Sequence, residues 1–580
     1  MSNQVLYWSK NELREQVAVL DGEVAPSIVL KNATYLNQNL RQWKKANIWV
    51  YENRIVYVGE QMPDRLEKTE VIDLAGKHVV PGYIEPHTHP FQLYNPQTLA
   101  HYASNRGTTT FICDNLTLLL SSPLKKALSL MEDLNRLPYT YYWWCRYDSQ
   151  SELIKEEQHF SLGTIRSILA SPYCIQGGEL TSWPKVLSGD DTILQMMQDT
   201  KRYGRRIEGH LPGSSEKTLT KMALLGVNCD HEAMTGEEAI RRMNVGYTTS
   251  LRYSSIRPDL PRLLRELKEL GVNYFDRVIF TTDGSTPAFY EQGVTDKMIS
   301  IALESGIDPI DAYNMAAYNV ARYYGMEHLL GMIAPGRLAH INILERLDNP
   351  VPQSVLAKGQ WIKKDGEEVF PLEEFPWSDY GIKPLELKWN LTEEDFNFSS
   401  LVGIEMVNSV ITKPYKVNID PTSVELAEDH DECFLMLLDR HGKWQVNTIV
   451  KGFARNVSGF CSSYSSTGDL IVIGKNKDDM LKAFERVKEL KGGIVLAENG
   501  EIVSEIKLPL GGGLSDKRLE YLMEEEKALT NELRKRGYQF EDPIYSLLFF
   551  SSTHLPYIRI TQLGMYDVKN KVVLFPAIMR

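Results

Sequence analysis

The sequence is poor in cysteine. Its six cysteines (Cys113, Cys145, Cys174, Cys229, Cys433, Cys461) are scattered over 580 residues with no C-x-x-C pair. That argues against a disulfide framework and fits a reducing compartment. Long apolar runs are missing too, none approaching the roughly 18 to 20 residues of a membrane span. The opening stretch MSNQVLYWSKNELREQ lacks the apolar core of a secretory leader. A soluble, cytoplasmic protein with no membrane partner is therefore expected. Positive charge is also short: 64 basic residues stand against 76 acidic ones, a formal net charge of -12. This argues against a nucleic-acid partner held by phosphate neutralisation. There is no internal repeat and no low-complexity tract. With 43% hydrophobic and 24% charged residues the composition is that of a globular protein. The length exceeds one core and calls for about two to four domains.

Pattern divides the chain. Residues 1–25 read as a polar helix and linker. "SIVLKNATYLN", "ANIWVYENRIVYVGE" and "EVIDLAGKHVV" alternate apolar and polar residues between Asn, Gly and Asp breaks, the period of short strands. They predict a small β-sandwich module over 26–80, completed by the strands "GMIAPGRLAHINILE" and "SVLAKGQWIKKDGEEVF" within 331–375. Between them, over 81–330, eight apolar strands alternate with helical segments: "GYIEPHTH", "TTTFICD", "YYWWCRY", "YCIQGGE", "RRIEGH", "GVNCDHE", "GYTTSLR" and "RVIFTTD". Eight such units predict an α/β fold of the (β/α)8 TIM-barrel type, with a doubly wound sheet as the alternative. Pro- and aromatic-rich connectors lead to a C-terminal α/β domain over 390–580, with helices at "KDDMLKAFERVKEL" and "DKRLEYLMEEEKALTNELRKRG".

In a barrel of this kind, catalytic groups sit at the C-terminal ends of the strands. His87 and His89 end the first strand, Glu179 the fourth, His210 the fifth, His231 the sixth and Asp283 the eighth. One His-x-His alone is weak evidence. Six metal-capable residues on one predicted rim are not, and they read as ligands of two divalent ions. His87 and His89 lean on one ion, His210 and His231 on the other, with Glu179 between them. Imidazole and carboxylate donors suit Zn, Mn or Fe(II). Water shared by two such ions is acidified towards neutrality, which makes a hydroxide nucleophile. Asp283 is then placed to take its proton and pass it to a leaving group. Asp114 and Arg252, ending strands two and seven, are candidates for substrate contact; Arg252 could equally pair with a rim carboxylate.

Other signals carry less. "GHLPGSSEKT" has Glu216 where a phosphate loop needs glycine. The H-x-E…P-C-x-x-C pattern of cytidine deaminases is absent. "YTYYWWCRY" reads as a buried strand rather than a base-stacking platform, and "LGGGLSD" as a flexible turn. His554, with six other histidines, fits no ligand pattern.

The stretches "PGYIEPHTHP", "IEGHLPG", "NCDHEAMTGEEA", "IFTTDGSTP" and "GMIAPGRLAHINIL" resemble the amidohydrolase superfamily, and more closely the adenine deaminase family. "IVKGFARNVSGF", "DLIVIGKNKDDM" and "DPIYSLLFFS" resemble that family's extra C-terminal domain. In the family a glutamate bridges the metals where most binuclear relatives use a carboxylated lysine, and Glu179 matches it. The resemblance implies a binuclear Mn or Fe centre, with Zn also suited to the donors. It implies conversion of adenine and water to hypoxanthine and ammonia, by attack of a bridging hydroxide on C6 with Asp283 as proton shuttle. Four stretches depart from the family: "PFQLYNP" after His89, a lone Asp114 in "CDNLTL", Gly284 beside Asp283, and "YSSTGD" over Tyr464–Asp469. All spare the ligands and touch what could read the substrate. The alternatives are therefore an amidohydrolase of another aminated heterocycle or cyclic amide, or a non-catalytic metal-binding descendant. A homo-oligomer is compatible with the large apolar inventory.

Overall fold

The computed structural model describes residues 8–420 and 422–580. The first helix, Lys10–Leu20, opens on a capping box: the Ser9 hydroxyl accepts from the Glu12 amide, and the Glu12 carboxylate accepts from that of Ser9. Strands from both predicted segments of the β module hydrogen-bond into one nine-stranded sheet. The join is Ile341–Leu344 running antiparallel to His78–Pro81. A bulge between Leu30 and Ala33 lets the long strand Ile28–Asn37 pair with Glu70–Asp73 before it and with His78–Pro81 after it.

Eight strands follow: β1 (Tyr83–Thr88), β2 (Thr108–Cys113), β3 (Thr140–Cys145), β4 (Cys174–Leu180), β5 (Arg206–Gly209), β6 (Cys229–Asp230), β7 (Thr248–Arg252) and β8 (Val278–Thr281). They pair in parallel and in sequence order, each within one residue of the stretch the sequence predicts. The round is nearly closed where β8 meets β1. There the buried Glu85 carboxylate accepts from the Thr281 hydroxyl at 2.7 Å and the Thr282 amide at 3.1 Å. Burial pushes this carboxyl up to about 7. The crossover helices Asp191–Arg202, Glu216–Leu224 and Gly236–Asn244 start on the N-caps Asp190, Ser215 and Thr235, whose side chains accept from the first free amides. Leu260–Glu269 buries Leu260, Leu263, Leu264 and Leu267, the i, i+3, i+4, i+7 stripe that seats a helix on a barrel. The aromatic stretch of β3 is fully buried, and Trp144 packs its ring against His87 at 4.4 Å between centroids. Its role is structural.

The C-terminal domain is built on a second nine-stranded sheet, with the helices Lys477–Leu490 and Leu519–Lys535 and a small three-stranded sheet at the end. "GGIVLAENGEIVSEIKL" folds as a hairpin, Gly493–Glu498 with Glu501–Lys507. Asn499 (φ 53°) and Gly500 (φ 78°) make its two-residue turn, since both central residues need positive φ. "LGGGLSD" is not a loose turn. The Ser515 amide donates to the Leu93 carbonyl at 2.6 Å, and the Asn95 side chain donates to the Ser515 carbonyl at 2.9 Å. These bonds tie it to the loop after β1. Among the described residues no helix is long and apolar enough to cross a membrane.

Candidate metal centre

Six predicted ligands from five strands converge on the C-terminal mouth of the barrel. Three triads have donor atoms within 4.8 Å of one another: His87, His89 and Glu179; His87, His231 and Asp283; and Glu179, His210 and His231. Glu179 belongs to two triads, which places it between two clusters of nitrogen. Its Oε1 lies 2.5 Å from His210 Nδ1 and 3.4 Å from His231 Nε2, while Oε2 faces His89 Nε2 at 3.9 Å. Asp283 Oδ1 stands 3.2 Å from both His87 Nε2 and His89 Nε2.

The outward nitrogens have partners that turn the inner ones to the centre. His89 Nδ1 meets Asp114 Oδ2 at 2.8 Å. Glu208 faces two rings at once, His87 Nδ1 at 3.1 Å and His231 Nδ1 at 3.0 Å. Such carboxylate–histidine pairs fix tautomer and ring orientation at metal sites. Two buried arginines lie behind them. Arg146 grips Asp114 through Nε at 2.9 Å and Nη2 at 2.7 Å, and reaches Glu179 Oε2 at 3.0 Å. Arg252 Nη1 lies 2.5 Å from Asp283 Oδ2 and 2.8 Å from Glu232 Oε1, and Arg257 holds the other oxygen of Glu232 at 2.6 Å.

The residues fit divalent cations on two grounds. His87 Nε2 and Glu179 Oε2 are buried and stand within ion-pair distance of Asp283 and Arg146, yet neither makes a well-formed hydrogen bond among the described residues, and such atoms call for a ligand. The donor set is all imidazole and carboxylate, as hard-to-borderline divalent ions require. The electrostatics agree. Burial alone would raise the carboxyls of Glu179 and Asp283, but Arg146 and His210 hold Glu179, and Arg252 and His231 hold Asp283, well below the ordinary range. Burial would lower His87, yet the charge of Glu208 carries it up to about 9.

Asp114 and Arg252 both line the cavity over the centre, but their charged groups are engaged, Asp114 by Arg146 and His89, and Arg252 by Asp283 and Glu232. Of the two roles open to Arg252 from sequence, the contacts are those of the carboxylate partner. Sequence reasoning passed over Glu208, Arg146 and Glu232. Glu208 was within reach: it stands two residues before His210, as Glu85 stands two before His87, and strand residues two apart share a face. Arg146 and Glu232 carried no pattern of their own.

The cavity measures about 450 Å³, with mainly apolar walls including Phe91, Leu116, Ile256, Leu514 and Phe549. Much of the roof comes from the C-terminal domain. The Tyr464 hydroxyl donates to the Gln92 side-chain oxygen, and the Tyr545 hydroxyl donates to the Gly284 carbonyl at 2.5 Å. His554, which fits no ligand pattern in the sequence, lines this cavity, its ring 5.6 Å from that of His210 and edge-on to it.

Residues 78–362 match the Amidohydrolase family, and residues 409–572 match the adenine deaminase C-terminal domain. A protein of Halalkalibacterium halodurans named "Putative adenine deaminase" is 58% identical over 581 residues, 100% of both chains. One of Bacillus subtilis with the same description is 52% identical over 100% of both chains. The adenine deaminase of Bacillus velezensis is 26% identical over 97% of this chain and 98% of its own.

Proposed function

The chain belongs to the adenine deaminase family of amidohydrolases, hydrolases of carbon–nitrogen bonds, and from that premise we propose that it converts adenine and water to hypoxanthine and ammonia at a two-cation centre. The observation that carries this reading is the shared position of Glu179 between the two histidine clusters. His87, His89 and Asp283 would hold one ion and His210 and His231 the other, with Glu179 reaching both. Mn or Fe is the family's expectation, and Zn suits the same donors. Divalent ions bound there supply Lewis acidity and a water acidified towards neutrality.

The chain's own residues do the rest. Asp283 is kept ionised by Arg252, so its carboxylate is a base ready to accept a proton and to return it to the departing amine. Asp114 and Glu208 hold the imidazoles of His89 and His231 in one tautomer, and Glu208 also faces His87 Nδ1. The apolar walls keep bulk water from the reacting face and accept a flat ring. A second reading, another aminated heterocycle or a cyclic amide, is favoured by one observation: Gln92, Asp114, Tyr464 and Asp283, next to Gly284, come from the four stretches that depart from the family, and all line this cavity.

The test is ammonia release by metal-reconstituted protein across a panel of adenine, other aminated heterocycles and cyclic amides. Release from adenine is expected, with Asp283→Asn keeping most of the metal yet losing turnover. Glu179→Gln and His87→Ala should lose metal as well as activity, measured by elemental analysis. Turnover of a lactam or imide with none of adenine transfers the assignment to the second reading. A fully active Glu179→Gln with two ions bound removes the bridging role.

A further inference from the structure

Among the polar side chains that line the cavity beyond the candidate ligands and their carboxylate and arginine partners, His554 is an imidazole set beside His210. His554 sits in the C-terminal domain, far in sequence from the barrel, yet its ring lies edge-on to His210 at 5.6 Å and against Phe549 at 6.3 Å. Its Nδ1 is buried and has no hydrogen-bond partner among the described residues. The placement is built. The segment carrying His554 is pinned to the loop after β3 on both sides of Ser552: the Ser151 hydroxyl donates to the Ser551 carbonyl at 2.6 Å, and the Thr553 amide donates to the Gln150 carbonyl at 2.8 Å. A buried imidazole nitrogen held open beside a metal ligand costs free energy unless something pairs with it.

The carboxylates of the centre do not provide a resting donor for substrate. Asp114, Glu179, Glu232 and Asp283 are carboxylates held ionised by arginine and histidine, so they accept and do not donate. The hydroxyls of Tyr464 and Tyr545 are committed to Gln92 and Gly284. An imidazole always carries at least one N–H. When a nucleophile adds to the carbon of an amidine or amide, negative charge develops on the ring nitrogen or oxygen conjugated with it, and a fixed donor there lowers the barrier.

We propose that His554 is a substrate-contacting catalytic residue, which donates a hydrogen bond to the ring nitrogen conjugated with the carbon that is hydrolysed. The identity of that atom rests on the deaminase reading above; the contact itself does not. The ligand class is a planar heterocycle with an acceptor atom next to its reacting carbon. No proton changes hands in this role. His554 holds the acceptor while Asp283 moves the proton.

The test compares full-length, metal-loaded wild type with His554→Phe, which keeps the ring against Phe549, and His554→Gln, which restores an N–H donor. Elemental analysis should find the same metal content in all three. For ammonia release from adenine, His554→Phe should lower kcat/KM about 100-fold, mostly in kcat, and His554→Gln should recover at least a tenth of the wild-type value. Binding is measured in parallel by calorimetry with acetohydroxamate, which sits on divalent ions whatever the natural substrate. His554→Phe should weaken it at least fivefold. A kcat/KM within twofold of wild type overturns the proposal. So does loss of metal in His554→Phe, which would make the residue a support of His210. If wild type releases no ammonia from adenine, the deaminase reading fails by itself and acetohydroxamate decides the contact: an unchanged Kd overturns it.

Discussion

Glu208 faces two imidazoles with one carboxylate and is not itself one of the six candidate ligands. Its oxygens face His87 Nδ1 and His231 Nδ1, which belong to a common triad with Asp283. Burial would raise its carboxyl, but the facing histidine charges hold it low. Glu208→Gln keeps the shape and removes the charge. It can accept from one ring only if its amide turns away from the other. Metal affinity is expected to fall about 10- to 100-fold, read by competition with a chelator, while the folded content stays that of wild type. Unchanged affinity would mean that packing against Trp144 alone orients His87. The six candidate ligands were legible from sequence because each ends an apolar strand, where a polar residue needs a reason. Glu208 sits one turn of the pleat earlier, inside the strand, where it passes for an ordinary buried residue. A rim carboxylate was one of the two roles open to Arg252 from sequence, but which one it meets, and any partner of Arg146, was not legible. Arg146 reaches a carboxylate 32 positions away and Arg252 one 31 positions on, contacts set by the order of strands around the barrel rather than by local pattern.

The loop after β8 holds its backbone in a constrained form. Asp283 has φ 49° and Gly284 φ 66°, and a side chain at Gly284 would run into the Cβ of His89. Glycine therefore stands beside Asp283 because the first histidine pair packs there, a reason visible only once β1 and β8 are neighbours. Non-glycine residues in this region persist when their surroundings hold them. The holding group is Tyr545, whose hydroxyl donates to the Gly284 carbonyl, with Tyr94 donating to the Ser285 carbonyl at 2.8 Å. Tyr545→Phe removes one hydrogen bond and keeps the ring stacked on Phe549. A kcat reduced about tenfold is expected, with KM and metal content near wild type. Faster amide exchange over residues 283–288 is the readout that does not depend on turnover. Equal exchange and equal kcat would leave the loop fixed by the barrel alone. The barrel itself was readable because strand and helix alternate eight times with clean caps. The grip on its loops was not, because it joins residues 191 and 261 positions apart.

The C-terminal domain closes the mouth of the barrel by holding three loops at once: after β1 through Tyr464 and Ser515, after β3 through Ser551 and Thr553, and after β8 through Tyr545, Asp542 and Glu526. Gln92 from one side meets Tyr464 from the other, so the two stretches form one wall of the cavity. The third grip contains a buried acid pair. Glu526 accepts from the Ala288 amide at 2.6 Å, and Asp542 accepts from the Thr286 hydroxyl at 3.0 Å while capping the helix Pro543–Phe549. Burial first, and then the charge of Asp542, push Glu526 up to about 8, with Lys527 opposing. Burial raises Asp542 as well. A carboxyl whose pKa is higher folded than unfolded binds more protons in the folded state between the ordinary value of 4.5 and about 8. Stability contributed by this pair is therefore present at low pH and lost as pH rises through that window. Glutamine at 526 cannot ionise and still offers an oxygen to Ala288. The thermal midpoint of Glu526→Gln relative to wild type should rise steadily from pH 5 to pH 8 and stop rising above it. Parallel curves for the two proteins across this range would show that the pair holds no shared proton, and that the third loop is gripped by Tyr545 and the Asp542 cap alone.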